Sequence, residues 1–206
     1  DAGLELPMGR RFLGFKAGIR RLFGSVDVVS KAYSLSKDEV VKVLSRLGKD
    51  FRDTVFAVWV LASFFGALRP QDVSEHRLRW SDITWLPKGV EILVRPKKGR
   101  TAHGPYIMAA PSFGRDSVLD LPRRLSRLWK LLPPGRSLNM SILADKVYPY
   151  APLKSAGFVK RLRHIYSECF GGLPKGGRIS AYSLRRGMAT ELFDKQIPEA
   201  TISKVL

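Results

Sequence analysis

"AYSLRRGMATELF", residues 181–193, is the most informative stretch of this sequence. Leu184, Met188 and Leu192 recur every four residues and predict the buried face of an amphipathic helix over 181–195. Tyr182, Arg185 and Ala189 form a stripe beside that face, which puts Arg185 at the edge of buried ground and turns Arg186 and Thr190 towards water. A guanidinium fixed at a core edge near a helix start presents a rigid fork of donors suited to a carboxylate or a phosphate. The composition of the whole chain separates the two.

The chain has 206 residues, enough for one large domain or a domain with an attached arm, and at 45% hydrophobic it reads as globular. Lysine and arginine total 36 against 18 aspartate and glutamate, a formal net charge of +18. The basic residues are spread through the sequence, so folded faces carry them, and a polyanion such as nucleic acid is the partner they suit. A membrane surface ranks behind it. There is no uninterrupted apolar stretch of about eighteen residues, no signal-peptide pattern and no lipidation motif. The single cysteine, Cys169, excludes an internal disulfide framework, fits a reducing compartment and reads as a small core residue.

Around the arginine helix, the other elements fall into place. "SLSKDEVVKVLSRLG" (34–48) has the capping-box spacing of Ser36 and Glu39, followed by an apolar stripe of Val40, Val43, Leu44 and Leu47. Val55 to Phe65 is apolar on nearly every face and predicts a central buried helix, ended by Gly66 and Pro70. Val90, Ile92 and Val94 alternate ahead of a basic turn and a second strand at Tyr106 to Met108, which predicts a hairpin. Helices are expected at about 115–132, 155–169 and 198–206, separated by "LPPGRS", "VYPYAP" and "GGLPKGGR". The expected class is α+β, mostly α-helical with a small antiparallel β-sheet. Residues 1–34 read as a linker and 35–206 as the domain.

Three positive points stand at distinctive places. Arg69 follows the most buried helix, with Pro70 suited to start the next one and Asp72 three residues on to orient the guanidinium. Lys97 and Lys98 occupy the hairpin tip, and Arg185 is the third point. Two arginines and a lysine on one phosphate would stabilise a phosphoryl-transfer transition state without a metal, each preorganised donor supplying about 10²–10³ in rate. The lysine could protonate a leaving 5′ oxygen if neighbouring positive charge lowers its pKa. His76, His103, His164 and Cys169 lack ligand spacing, so no metal or other cofactor is expected. "GGLPKGG" reads as a connector, His164 as a surface residue, and Trp80 and Trp85 as core or stacking residues of the sheet.

In this order the residues resemble the catalytic domain of the tyrosine recombinase (phage integrase) family. The landmarks are "SLSKDEVVKVL" as opening helix, "FFGALRPQDVSEHRLRWSDIT" around the first arginine, "RPKKGR" at the hairpin lysine, and "YSLRRGMATELFDKQIPEATISKVL" around the second arginine. The resemblance implies that Arg69 and Arg185 clamp a scissile phosphate, that Asp72 supports Arg69, and that Lys97 or Lys98 is the general acid. It implies double-stranded DNA as partner, with Arg100, Lys154, Lys160 and Arg163 among the residues gripping it. The whole enzyme would cleave and rejoin strands through a 3′-phosphotyrosyl bond, serve DNA recombination or integration of a mobile element, act as a tetramer on DNA, and work inside the cell where the DNA is. Residues 1–34 would then be the end of a core-binding arm.

Two departures bear on catalysis. Tyr182 stands where the family has histidine or lysine, and a phenol, which ordinarily titrates at about pH 10, is a poor base at neutral pH. The sequence ends at "ISKVL", ahead of the family's nucleophilic tyrosine, and the six tyrosines, Tyr33, Tyr106, Tyr148, Tyr150, Tyr166 and Tyr182, all lie upstream of that position. The expectation is a piece lacking the last helices, largely monomeric and inactive in cleavage by itself. A DNA-binding relative without catalysis, or a basic RNA-binding module, are the alternatives.

Overall fold

The computed structural model describes residues 32–73, 78–95, 104–114, 117–147, 150–175 and 177–198, with positions 71, 145–147 and 150–152 described for their backbone alone. Helix α1 (Lys37–Ser45) opens as the spacing predicts: the Ser36 hydroxyl accepts from the Glu39 N–H (3.2 Å) and the Ser36 N–H donates back to the Glu39 carboxylate (2.8 Å). Helix α2 (Phe51–Phe65) starts at Asp50, whose side chain accepts from the Asp53 N–H at 2.8 Å, and is buried at every position from Thr54 to Phe64. Such an all-round apolar helix is stable only when other elements cover it. Phe158 stacks on Trp59 with ring centroids 4.5 Å apart, and residues such as Ile92, Leu125, Leu128 and Leu184 contribute to the same core.

Beyond α2, Pro70–Val73 make the short helix α3, and a 3₁₀ turn at Trp80–Asp82 leads into the sheet. Strands β1 (Ile83–Leu86), β2 (Gly89–Val94) and β3 (Tyr106–Pro111) form an antiparallel meander in which Ile83 faces Ile92 and Val94 faces Tyr106. The expected alternation holds, since Val90, Ile92 and Val94 are buried together with Met108 and Ala110. Strand β1 has no counterpart among the elements expected from the sequence. Trp85, expected as a core or stacking residue, is 50% exposed on it, whereas Trp80 is buried and meets Trp129 edge-on at 4.9 Å.

Helix α4 (Leu121–Leu131) begins later than the expected position 115, because the Asp120 carboxylate caps it by accepting the Arg123 N–H at 2.7 Å and Pro122 occupies its first turn. "VYPYAP" is not a plain connector: Ala144–Val147 (β4) and Tyr150–Pro152 (β5) pair as a hairpin. Helix α5 (Ser155–Phe170) ends at Gly171 in the left-handed region, φ +72°. Cys169 is partly buried against the core. Helix α6 (Ser183–Asp194) carries the two adjacent arginines, but its buried face is Ser183, Leu184 and Gly187, with Met188 and Leu192 only half-buried. Residues 33–37 are responsible: Leu35 N–H donates to the Ser183 carbonyl (3.2 Å), Ser34 and Thr190 share a hydroxyl bond (2.8 Å), and Lys37 N–H donates to Glu191 (3.1 Å). Residues 1–31 and the helix expected over 199–206 lie outside the described residues.

Candidate phosphate-binding site

The site is built where α2 stops. Glycine suits position 66, because a Cβ there would sit 2.8 Å from the Ala62 backbone carbonyl oxygen and would push aside the Met108 side chain on β3. Ala67 then adopts φ +45°, a left-handed conformation costing about 1–2 kcal/mol for a residue with a Cβ. Its carbonyl accepts a 2.7 Å hydrogen bond from Arg185 Nη1, which joins the end of α2 to the first turn of α6 across 118 residues of sequence. The half-buried Arg185 guanidinium is thereby held at the core edge that its stripe position predicts.

Arg69 follows two residues later. Its backbone N–H donates to Asp72 Oδ2 (3.2 Å) and its carbonyl accepts from the Asp72 N–H (2.8 Å), while Asp72 itself is buried. The three-residue spacing predicts that Asp72 orients the guanidinium. Among the described residues the carboxylate instead holds the backbone from which the Arg69 side chain projects.

Electrostatics tie the pieces together. Burial, and then the Arg69 charge, lower the pKa of Arg185, while Tyr106, Asp72 and Tyr182 act in the opposite direction. Two guanidinium groups near enough to repel, one of them desolvated, make a seat for an anion. Tyr106 joins this group although no sequence signal marks it as a site residue. Tyr106 is 38% exposed, yet partial burial of its phenol and the nearby Asp72 push its pKa up to about 12 despite the opposing charges of Arg185 and Arg69. It stands opposite Val94 at the root of the β2–β3 hairpin, so that root borders the arginines.

Of the other expected residues, Tyr182 is 43% exposed at the start of α6, beside Arg185. Lys97, Lys98 and Arg100 lie outside the described residues. Lys154 and Lys160 are exposed on α5 or just before it, whereas Arg163 is half-buried and donates Nε to the Ile179 carbonyl (2.8 Å), securing the approach to α6. His164 lies on the surface, 3.5 Å from Glu168. Among the described residues no cluster of three or more histidine, cysteine or acidic side chains is placed to hold a metal, and no helix is long and apolar enough to cross a membrane.

No protein-family model and no curated protein sequence matches the chain. Solved structures do. A XerH site-specific recombinase bound to difH substrate in a pre-cleavage complex superposes with a TM-score of 0.61 at 16% identity, covering 84% of this chain and 46% of that one. A lambda integrase dimer bound to a COC′ core site gives 0.54 at 18%, covering 85% and 45%. A XerA recombinase gives 0.60 at 16%, covering 95% and 66%. The fold is that of a tyrosine recombinase catalytic domain, a helical frame with a small antiparallel sheet. The chain spans about half the length of the XerH and integrase chains.

Proposed function

We propose that this chain is the DNA-holding catalytic region of a site-specific recombinase, in which Arg69 and Arg185 grip the phosphate at which a strand is broken and rejoined. The observation that carries the reading is the Arg185–Ala67 bond, which fixes one guanidinium beside Arg69 and the hairpin root. Double-stranded DNA is the substrate. The matched XerH and integrase structures are complexes with their own DNA sites, and the +18 charge suits the same partner. Lys97 or Lys98, in the stretch of sequence between Val94 and Tyr106, protonates the leaving 5′ oxygen.

Tyr182 takes the place of the family's histidine or lysine and donates a hydrogen bond to the phosphate rather than moving protons efficiently. None of the six tyrosines among these 206 residues is proposed as the attacking nucleophile. Tyr182 also favours a second reading, a relative that binds DNA without cutting it.

The test is competition at equal salt between duplex DNA and structured RNA, followed by incubation with a nicked duplex that would trap a covalent complex. The expected result is preference for duplex DNA with no covalent adduct. Preference for structured RNA overturns the reading in favour of an RNA-binding module, and an adduct on one of the six tyrosines overturns the assignment of the nucleophile.

A further inference from the structure

The far end of α2 carries a second concentration of charge. Its 15 residues separate its two ends by about 22 Å, so a feature before Phe51 is remote from Arg69. There Lys49 meets the first turns of α4, and Lys49, Arg123, Arg124 and Arg127 line a cavity of 170 Å³ together with Gly48 and Ser117. Arg123 and Arg127 are one helical turn apart, a spacing at which like charges repel. Arg124 is half-buried between them, and its pKa is lowered first by burial and then by Arg127 and Arg123.

Among the described residues the nearby carboxylates are already engaged. Asp53, the one that offsets Arg124, pairs with Arg161 and accepts the Gly48 N–H. Asp50 caps α2, and Asp120 takes Arg123 N–H, Phe113 N–H and the Ser112 hydroxyl. Among the described residues none of the four cavity cations forms an ion pair. Among the described residues these four cations surround a hollow whose nearest carboxylate, Asp53, is already paired with Arg161, so they repel one another until an anion enters.

We infer that this cavity is a second nucleic-acid contact, binding a backbone phosphate other than the one gripped by Arg69 and Arg185. A planar arginine fork suits phosphate oxygens, and three of the four cations are arginine. Lys49 and Arg123 lie exposed at the rim, so the seated phosphate remains joined to its neighbours along a strand instead of being enclosed. The contact reads no sequence, since backbone phosphates carry none.

The experiment maps arginine modification by phenylglyoxal in the whole chain, with saturating duplex DNA, with pyrophosphate, and with neither. Duplex is expected to protect Arg123, Arg124 and Arg127 in the wild type and in Arg185→Ala alike, which separates this site from the first. Arg123→Gln/Arg127→Gln is expected to bind duplex with a slope of log affinity against log salt shallower by about 0.9 for the lost phosphate. With the repulsion relieved, it is also expected to melt no lower than wild type in the absence of DNA. Modification of these arginines undiminished by duplex, or an unchanged salt slope in a folded variant, overturns the inference. Protection by pyrophosphate but not by duplex overturns the nucleic-acid assignment.

Discussion

Tyr106 shows how a single residue takes its character from its neighbours. Asp72 and burial disfavour its phenolate, Arg69 and Arg185 favour it, and the first two prevail. The neutral phenol is therefore the form the fold prefers. Because the folded pKa lies near 12 against an ordinary value of 10.0, the associated stability is complete below pH 10 and is lost as pH rises through 10 towards 12. Tyr106→Phe is expected to lose less stability to urea across that window than the wild type, and to remove a phenolate absorbance component titrating near the upper limit. Equal alkaline losses, or a missing component titrating at the ordinary value, would contradict this placement. The arginines were readable because each follows a helix signal: Gly66 and Pro70 punctuate the chain around Arg69, and the Leu184, Met188, Leu192 repeat places Arg185. Tyr106 has no comparable marker. Its strand pairs through backbone bonds and is exposed at most positions, so only the register with Val94 reveals which neighbours it meets.

Among the elements, α6 depends on its approach to residues 33–37. A Cβ at Gly187 would lie 1.8 Å from the Leu35 carbonyl oxygen and 3.2 Å from a Phe64 ring carbon, and the first of these is backbone that cannot swing away. Gly187→Ala is expected to destabilise the fold by about 3 kcal/mol, towards the upper end for overpacking, despite alanine's better helix propensity. A urea midpoint equal to or above that of the wild type would refute the contact. This also explains the shift in the helix's buried face. A four-residue repeat of large apolar side chains identifies the helix, yet the closest approach uses the residue with no side chain, which hydrophobic periodicity does not weigh. The two elements missed or misread have similar causes. Strand β1 leaves Trp85 and Leu86 exposed, and the β4–β5 hairpin lies in a stretch whose prolines read as a connector.

For the molecule as a unit, the charge has a spatial arrangement that composition alone does not give. One concentration lies where α2 ends and α6 begins, and another lies at the opposite end of α2 against α4. The central helix thus carries positive charge at both ends while its middle is buried. The +18 total pointed to a polyanion without locating its phosphates, because the locations depend on contacts such as Arg185 with Ala67 that join distant parts of the sequence. The proposed function requires Arg69 and Arg185 to act on one DNA phosphate. A double-mutant cycle on duplex affinity probes that requirement, using Arg69→Ala, Arg185→Ala and the pair. Each single variant is predicted to weaken binding about tenfold, the scale of a lost charged hydrogen bond. The double variant is predicted to lose less than the product of the two, because the seat is already open once one arginine is gone. Wild-type affinity in either single variant, or losses that simply multiply, would contradict a shared phosphate.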